Sequence, residues 1–327
     1  MLSSRLSLLR APLWTRSASA VSNGPVGFVG LGNMGLPMAS NLLKSGRQLY
    51  VFDVNPTAVE TLRAQGANVC ATPAEVGAAA RSVVSMLPSN QIIRQVYLGS
   101  DGLLSNINEG SLLIDCSTSE PVVAKELADA AAKSGSRLFD APVSGGTMGA
   151  EQASLTFMVG GPEDSFPAAE ELLSLMGKTV VHCGDVGMGQ AAKLCNNLLL
   201  AVTMTGLSEA HALGGRLGLD QKKLADIINT SSGRCWSADT YNPCPGVLPN
   251  VPASRGYTGG FAVDLMIKDL SLASSAAASV QPKLPLPFSA LALQLYTLMS
   301  QQGGGRKDFS SIYELIEQVH KKPSGTQ

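Results

Sequence analysis

A glycine-rich segment near the start of the chain places the strongest constraint on its fold. The segment has the pattern G-x-G-x-x-G, follows the apolar run VGFV and precedes the helical pattern PMASNLLKSG. In a strand–loop–helix setting, the first glycine permits a tight turn, the second lets a pyrophosphate approach the backbone, and the third lets helix and strand pack closely. Its residues are Gly30, Leu31, Gly32, Asn33, Met34 and Gly35. They predict a dinucleotide site at the positive end of a helix; the alternative is a glycine-rich loop that binds nothing.

An acidic residue further along strengthens this interpretation. Asp53 stands at the end of the next predicted strand, near the spacing of about 20 residues at which a carboxylate accepts hydrogen bonds from the adenosine ribose. A carboxylate there repels a ribose 2′-phosphate, and the run VFDVNP offers no arginine directly after it. The sequence therefore favours NAD over NADP, with Arg47 upstream and Arg63 on the following helix as the nearby cations that could favour NADP instead.

The first half of the chain alternates short β-rich runs with Ala- and Leu-rich helical stretches. Such alternation predicts βαβ units and a mostly parallel sheet with helices on both faces. The predicted strands are Val26–Gly30, Leu49–Asp53, Val83–Leu87, Ser111–Cys116, Arg137–Asp140, Leu155–Gly160 and Thr179–Cys183. We therefore expect an α/β fold: a doubly wound, Rossmann-type domain over residues 23–185, followed by an all-α domain over residues 186–327.

The second half has helical patterns separated by one irregular region. Gln190–Leu217 is long, largely apolar and free of proline, and Phe261–Ala278, Pro285–Ser300 and Phe309–His320 also read as helices. Between them, Ser231–Gly260 is rich in Gly, Pro, Asn and Ser and cannot form one regular element. Long loops of this kind are commonly functional.

Composition excludes several classes of function. The formal net charge is −1, so no electrostatic footprint for nucleic acid is visible. No uninterrupted apolar run reaches the roughly 18 residues that a membrane span needs. The cysteines show no C-x-x-C pair or histidine cluster and are expected to be reduced thiols, with no metal site. They are Cys70, Cys116, Cys183, Cys195, Cys235 and Cys244.

The first 22 residues differ from the rest. They contain Arg5, Arg10 and Arg16, several Ser and Leu, and no acidic residue. This pattern predicts a mitochondrial transit peptide, because the arginines interrupt the apolar core that a secretory signal requires. The alternative is an ordinary disordered terminus. We expect the mature protein in the mitochondrial matrix.

Hydride transfer to a nicotinamide leaves the protein to manage a proton. Lys193 is the best candidate, since it lies in the apolar pattern GMGQAAKLCNN, and Asn197 falls one helical turn further on the same face. Burial lowers a lysine's pKa toward the range useful for proton transfer. The alternative is a lysine that snorkels at a helix start. The three histidines lie outside polar or glycine-rich motifs: His182, His211 and His320.

Two further patterns can belong to a binding site or have only a structural role. In DAPVSGG, Ser144 offers a hydroxyl and Gly145 and Gly146 expose backbone N–H groups, a combination suited to a carboxylate; the alternative is a plain turn. Lys268 is a second lysine in an apolar helix, but Asp269 beside it also fits a simple surface pair.

Taken in order, the motifs resemble the β-hydroxyacid dehydrogenase family over about residues 25–320. They are VGFVGLGNMGLPMASNLL, SMLP, IDCST, DAPVSGG, GMGQAAKLCNN and LMIKDL. The segments SSGRCWSADTYNPCPGV and YTGGFAVDLMIKDL resemble the branch that oxidises 3-hydroxyisobutyrate. The resemblance implies NAD-dependent oxidation of (S)-3-hydroxyisobutyrate to methylmalonate semialdehyde in valine breakdown, by a homodimer or homotetramer.

The resemblance also implies roles for individual residues. Lys193 would be the acid/base, and Asn197 would orient the substrate. Ser144, Gly145 and Gly146 would bind its carboxylate. Four residues would contact the cofactor beyond the glycine loop and Asp53, with Lys268 closing the site: Leu87, Pro88, Thr118 and Lys268. One departure is Ile92, where relatives often offer a polar cofactor contact; Asn90 or Gln91 are the candidates to replace it.

The sequence also has to be weighed against three alternative functions. A tartronate or succinic semialdehyde reductase of the same fold would use NADPH in the opposite direction. A 6-phosphogluconate dehydrogenase needs a longer helical domain than this chain provides. A non-catalytic binding protein on the same fold is opposed by the presence of Lys193 and the absence of a basic tail.

Overall fold

The computed structural model describes residues 24–318. The transit peptide predicted over residues 1–22 and the end of the last predicted helix, at His320, lie outside this range. The described residues form two compact units that divide between Lys193 and Leu194. This division lies further along the chain than the predicted domain boundary at residues 185 and 186, and that boundary stays a prediction.

The first unit alternates strands and helices. Its strands are β1 (Val26–Val29), β2 (Leu49–Phe52), β3 (Asn68–Val69), β4 (Ser82–Ser85), β5 (Leu112–Asp115), β6 (Arg137–Asp140), β7 (Val143–Ser144), β8 (Leu155–Gly160) and β9 (Gly177–Gly184). Its complete helices are α1 (Gly35–Lys44), α2 (Pro56–Ala64), α3 (Pro73–Ala79), α4 (Asn90–Leu98), α5 (Pro121–Ala132), α6 (Gly146–Glu151) and α7 (Phe166–Leu173).

The strands form one sheet in the order β3-β2-β1-β4-β5-β6-β8-β7, with β9 paired to β8. All pairs from β3 to β6 are parallel, whereas β8 runs antiparallel to β6 and β7. The predicted mostly parallel sheet is confirmed, and every predicted strand is present. β3 and β7 were not predicted, because two-residue strands carry no periodicity to read.

Helices cover both faces of this sheet. Neighbouring residues of one strand enter different cores: Val84 packs in a cluster with Met38 of α1, and Val83 packs in a cluster with Val123 of α5. Successive side chains of a strand point to opposite faces, so the two clusters fill the two sides. The doubly wound architecture is confirmed. The carboxyl ends of the parallel strands share one edge, where such sheets bind ligands.

The regular elements of residues 194–318 are helices. The long helix α8 (Met188–Arg216) begins in the first unit and continues into the second. It is followed by α9 (Gln221–Thr230), α10 (Trp236–Asp239), α11 (Val263–Ser279), α12 (Pro287–Met299) and α13 (Ile312–Gln318). The expected all-α second half is confirmed.

The core of the second unit joins α8, α11 and α12. Met204, Met266 and Tyr296, one from each helix, pack in the same buried cluster. Between α9 and α11 the chain forms only the short α10 and a 3₁₀ turn at Pro252–Arg255, as the composition of this segment predicts. None of the described helices is both long and apolar enough to cross a membrane.

Candidate active site

The glycine loop between β1 and α1 is shaped by its first and third glycines. Gly30 has φ of +93°, and a Cβ atom there would overlap the carbonyl oxygen of Met86. A Cβ atom at Gly35 would overlap the carbonyl oxygen of Gly30. At Gly32, by contrast, an added Cβ meets no atom within 4 Å. The outer glycines are therefore required by the turn itself, and the middle one leaves room for a ligand against the backbone.

The loop before α1 is open to an anion. Met34 is the N-cap residue of α1, and its side chain makes no capping hydrogen bond. In the first turn, the Leu36 N–H donates to the Gly32 carbonyl oxygen and Pro37 has no N–H, so these two residues offer no free donor. Gly32 and Asn33 of the loop are exposed. A cavity of about 690 Å³ adjoins the loop, lined by Leu31, Gly32 and Asn33 and by residues of α1, α2 and α6. The residues present fit the pyrophosphate of a dinucleotide.

Asp53 lies directly after β2 and is half-buried. Its carboxylate accepts hydrogen bonds from the backbone N–H of Leu31, at 2.5 Å, and of Asn55, at 2.6 Å. These bonds use one acceptor position on each oxygen, and each oxygen has a further lone pair for a ribose hydroxyl. Asp53 thus also orders the glycine loop, a role that its spacing alone did not indicate.

The loops after β4 and β5 are joined by a buried polar network. The backbone N–H of Leu87 donates to Ser117 Oγ (2.8 Å), which donates to Asp115 Oδ1 (2.5 Å). Ser85 Oγ donates to the same Asp115 oxygen at 2.8 Å. Burial raises the pKa of Asp115, and the serine hydrogen bonds lower it. The sequence analysis missed this network because its members come from two segments about 30 residues apart, which only the pairing of β4 with β5 brings together.

The remaining residues of these loops differ in exposure. Leu87 is buried, Thr118 is half-buried and Pro88 is exposed at the carboxyl edge of the sheet. Asn90 Oδ1 accepts from the backbone N–H of Glu120 at 3.3 Å, so this amide links the two loops. The role of Ile92, which is half-buried in α4, stays an open prediction.

The predicted carboxylate loop has the backbone freedom that it needs. Gly145 and Gly146 have φ of +133° and +63°, which side chains with a Cβ rarely adopt. An added Cβ at Gly146 meets nothing within 4 Å, so the backbone there is open to a ligand. Ser144 is half-buried and pairs with Thr156 of β8, which holds the loop against the sheet.

Lys193 lies in the second turn of α8 and is 7% exposed. The start of this helix is held by Asp140, at the end of β6. Its carboxylate accepts from the backbone N–H of Gly187 at 2.6 Å and of Gln190 at 2.8 Å. Burial raises the pKa of Asp140 to about 6, against the opposing effect of the two N–H donors. The candidate lysine is therefore built into the interior and does not snorkel into solvent.

Asn197 and Lys268 both contact Asp269, which the sequence predicted only as a possible surface partner of Lys268. Asn197 Nδ2 donates to Asp269 Oδ2 at 2.5 Å, and Lys268 Nζ lies 3.3 Å from Asp269 Oδ1. The pair of Lys268 and Asp269 that the sequence offered as the alternative is present, but Asp269 is 3% exposed, so the pair does not lie wholly at the surface. Adjacent Lys and Asp residues on a helix give no signal in the sequence that one of them is buried.

Within residues 24–318, no group of three or more His, Cys, Asp or Glu side chains is arranged to hold a metal ion. All six cysteines are free thiols.

Close relatives identify the family. The chain is 52% identical to mitochondrial 3-hydroxyisobutyrate dehydrogenase of Mus musculus over 302 residues, covering 92% of this chain and 90% of the relative. It is 49% identical to 3-hydroxyisobutyrate dehydrogenase of Pseudomonas aeruginosa over 292 residues, covering 89% and 97%. The chain belongs to the 3-hydroxyisobutyrate dehydrogenase family. The resemblance inferred from the motifs is confirmed.

Family models and solved structures agree with this membership. Residues 25–184 match the NAD binding domain of 6-phosphogluconate dehydrogenase, and residues 187–316 match the NAD-binding model of NADP-dependent 3-hydroxyisobutyrate dehydrogenase. The structure of Mycobacterium tuberculosis 3-hydroxyisobutyrate dehydrogenase with L-serine has 37% identity and a TM-score of 0.85, covering 90% of this chain and 99% of that one.

A second solved structure is more distant. Psf3 in complex with NADP+ and 2-OPP has 27% identity and a TM-score of 0.76, covering 89% of this chain and 99% of that one. As a member of the 3-hydroxyisobutyrate dehydrogenase family, the chain is an oxidoreductase that uses a nicotinamide cofactor.

Proposed function

We propose that this protein oxidises (S)-3-hydroxyisobutyrate to methylmalonate semialdehyde with NAD, a step of valine breakdown. The names of its relatives at about half identity support the substrate. The observation that carries the chemistry is the burial of Lys193, 7% exposed, in a helix whose first turn is hydrogen-bonded to the segment carrying Thr118.

A bound nicotinamide supplies an acceptor for the hydride. Lys193 would accept the hydroxyl proton at Nζ as the hydride leaves the carbon that bears the hydroxyl group. Ser144 Oγ and the backbone N–H groups of Gly145 and Gly146 hold the substrate carboxylate. Asn197, one turn after Lys193 on α8, orients the substrate. Lys268 stays the proposed closing contact to the cofactor.

Asp53 supports the choice of NAD. In a Rossmann-type domain, a carboxylate at this position is expected to bind the hydroxyl groups of the adenosine ribose. A 2′-phosphate on that ribose would face a like charge. Leu87, Pro88 and Thr118 lie at the carboxyl ends of β4 and β5, where the nicotinamide half of the cofactor is expected.

The test is a substrate panel assayed with both cofactors in both directions. We expect the highest kcat/KM for (S)-3-hydroxyisobutyrate with NAD. A clear preference for NADP with this substrate would overturn the cofactor assignment, and a higher kcat/KM for another hydroxy acid would overturn the substrate assignment.

One alternative is favoured by a specific observation. Residues 187–316 match a domain named for an NADP-dependent 3-hydroxyisobutyrate dehydrogenase, and the structure of Psf3 is a complex with NADP+. A semialdehyde reductase that uses NADPH is therefore the second candidate. It predicts faster reduction of tartronate or succinic semialdehyde with NADPH than oxidation of any hydroxy acid with NAD.

We also propose that the protein works in the mitochondrial matrix as a homodimer or homotetramer. The arginine-rich first 22 residues and the mitochondrial relatives support the location. Exposed apolar side chains on one face of α12, Phe288, Leu291 and Leu298, support self-association. Sedimentation of the purified protein and sequencing of its N-terminus after import into isolated mitochondria test the two proposals.

A further inference from the structure

The first turn of α8 is tied to two strand ends by side chains that the proposed chemistry does not use. One is Asp140, which is fully buried and accepts backbone hydrogen bonds from Gly187 and Gln190. Helix N-termini present unsatisfied N–H groups, and a carboxylate that accepts two of them fixes the direction of the turn. Asp140 thus connects the end of β6 to the beginning of the lysine helix.

The other side chain is Gln190, three residues before Lys193 and also fully buried. Its Oε1 accepts from the backbone N–H of Ser119 at 2.9 Å, and its Nε2 donates to the backbone carbonyl of Ser117 at 2.8 Å. Both ends of one amide therefore bind the segment that follows β5. The residue between these two contacts is Thr118, an expected cofactor contact.

This connection continues into the loop after β4. Ser117, whose carbonyl accepts from Gln190, uses its hydroxyl to accept from the backbone N–H of Leu87 and to donate to Asp115. A continuous set of buried hydrogen bonds thus runs from the Leu87 loop, through the Thr118 segment, to the first turn of α8. All of it lies within the first unit.

Glycines set how close the turn lies to the sheet. A Cβ atom on Gly189 would overlap the carbonyl oxygen of Met158, and one on Gly160 would overlap Asp140 Oδ1. Such packing fixes a distance but not a rotation, because van der Waals contact has little directionality. The hydrogen bonds of Asp140 and Gln190 are directional and set the rotation of the turn about the helix axis.

We propose that Gln190 and Asp140 are positioning residues that set the place of the Lys193 amine relative to the Thr118 segment. The inference deepens the proposed function and rests on it, since it takes Lys193 to be the acid/base. A displacement of about 1 Å at a reacting group can cost about 100-fold in rate. Loss of the geometry that Gln190 maintains is therefore expected to lower turnover.

The first experiment compares two variants that each lose two hydrogen bonds between a side-chain amide and the backbone, buried at Gln190 and partly exposed at Asn108. Gln190→Met keeps the length and volume of the side chain but makes neither bond. Asn108→Ala is the matched control, because Asn108 Nδ2 donates to the carbonyls of Gly77 and Ala78 near the opposite, amino end of the strands. We expect Gln190→Met to lower kcat by about 10- to 100-fold and Asn108→Ala to change it by less than about twofold.

A double-mutant cycle then separates positioning from general damage. Lys193→Ala, alone and with Gln190→Met, is assayed with methylamine added as a replacement base. Because the lysine is gone, we expect Gln190→Met to lower the rescued rate by less than about threefold. Equal losses in the two backgrounds would show that Gln190 acts on the cofactor loop or on folding, and would overturn the proposal.

A readout that needs no rescue is the pH dependence of kcat in Gln190→Met and Asp140→Asn. If a variant moves Lys193 within its surroundings, the limb of the kcat–pH profile that reports this amine shifts in apparent pKa. If a variant only reduces the fraction of folded enzyme, kcat falls equally at every pH. We expect a shift of about 0.5 or more in at least one of the variants. Unshifted profiles in both would overturn the proposal.

Failure of the proposed function looks different. If Lys193→Ala alone keeps normal turnover, the acid/base assignment is wrong and the positioning proposal falls with it. If Lys193→Ala abolishes turnover and Gln190→Met leaves kcat unchanged, only the positioning proposal is wrong.

Discussion

The glycine loop after β1 and the first turn of α8 are both helix starts at the carboxyl edge of one sheet, but they are built in different ways. The loop owes its shape to glycines within six residues and to Asp53, 22 residues from its partner Leu31. The first turn of α8 depends on partners 47 to 73 residues away. The cofactor loop is therefore shaped mainly by residues close to it in the sequence, whereas the position of the proposed reacting side chain depends on residues far from it in the sequence.

The two helix starts also differ in exposure. Gly32 and Asn33 are exposed, as a surface that admits a ligand must be. Gln190 and Asp140 are fully buried, and Lys193 is 7% exposed. Buried polar groups are costly unless they are paired, so the loss of one partner at α8 has larger effects than the loss of a contact at the loop. The following predictions test this contrast in order of expected effect.

The largest effect is expected from Lys193→Ala. It should lower kcat by about 10²- to 10⁴-fold, the usual contribution of a general acid or base, and leave the Kd for NAD nearly unchanged. Steady-state kinetics and fluorescence titration of the cofactor measure the two quantities. Lys222→Ala, at an exposed lysine of α9, is the control and should behave as wild type. Weakened NAD binding with unchanged turnover of the bound enzyme would contradict the assignment.

The glycine loop should separate stability from binding. Gly35→Ala places a Cβ atom against the backbone of Gly30 and should lower the free energy of unfolding by about 1 to 3 kcal/mol. Gly32→Ala meets no protein atom and should leave the Tm unchanged while weakening cofactor binding about 10-fold or more. Thermal unfolding and calorimetric titration check the pair. Normal cofactor affinity in Gly32→Ala would show that the pyrophosphate lies elsewhere.

Asp53→Ala should reduce discrimination against NADP by about 10-fold, because it removes the charge that faces a 2′-phosphate. Asp53→Asn separates charge from hydrogen bonding, since it keeps one acceptor oxygen for Leu31 or Asn55. The ratio of kcat/KM for NAD and NADP is the measurement. An unchanged ratio in both variants would place the cofactor selectivity at other residues.

The last prediction concerns the pH dependence of stability. Because burial raises the pKa of Asp140 to about 6, the folded state holds a proton that the unfolded state has lost between about pH 4 and pH 6. The stability of the wild type relative to Asp140→Asn should therefore fall by roughly 1 to 3 kcal/mol as the pH rises through this window. Urea unfolding at several pH values checks it. A rise over the same window would mean that the two N–H donors outweigh burial.

Several features of this protein could be predicted from the sequence because neighbouring residues encode them. The alternation of short β-rich runs with helical stretches predicted the parallel sheet, and the helical patterns of the second half predicted the later helices, including Gln190–Leu217, which the structure has as Met188–Arg216. The glycine motif predicted its own turn, because the left-handed backbone of Gly30 is a property of that residue. Lys193 stood out as a cation in an apolar helix.

Tertiary structure alone decided which polar residues meet. Nothing near Asp140 in the sequence shows that it accepts N–H groups of Gly187 and Gln190, and nothing near Asp269 shows that it binds Asn197. These contacts depend on the order of the strands and on the register of the helices packed on them, and neither is a local property. The chain's own pattern determined its elements and its cofactor loop, and long-range packing determined the surroundings of its buried polar groups.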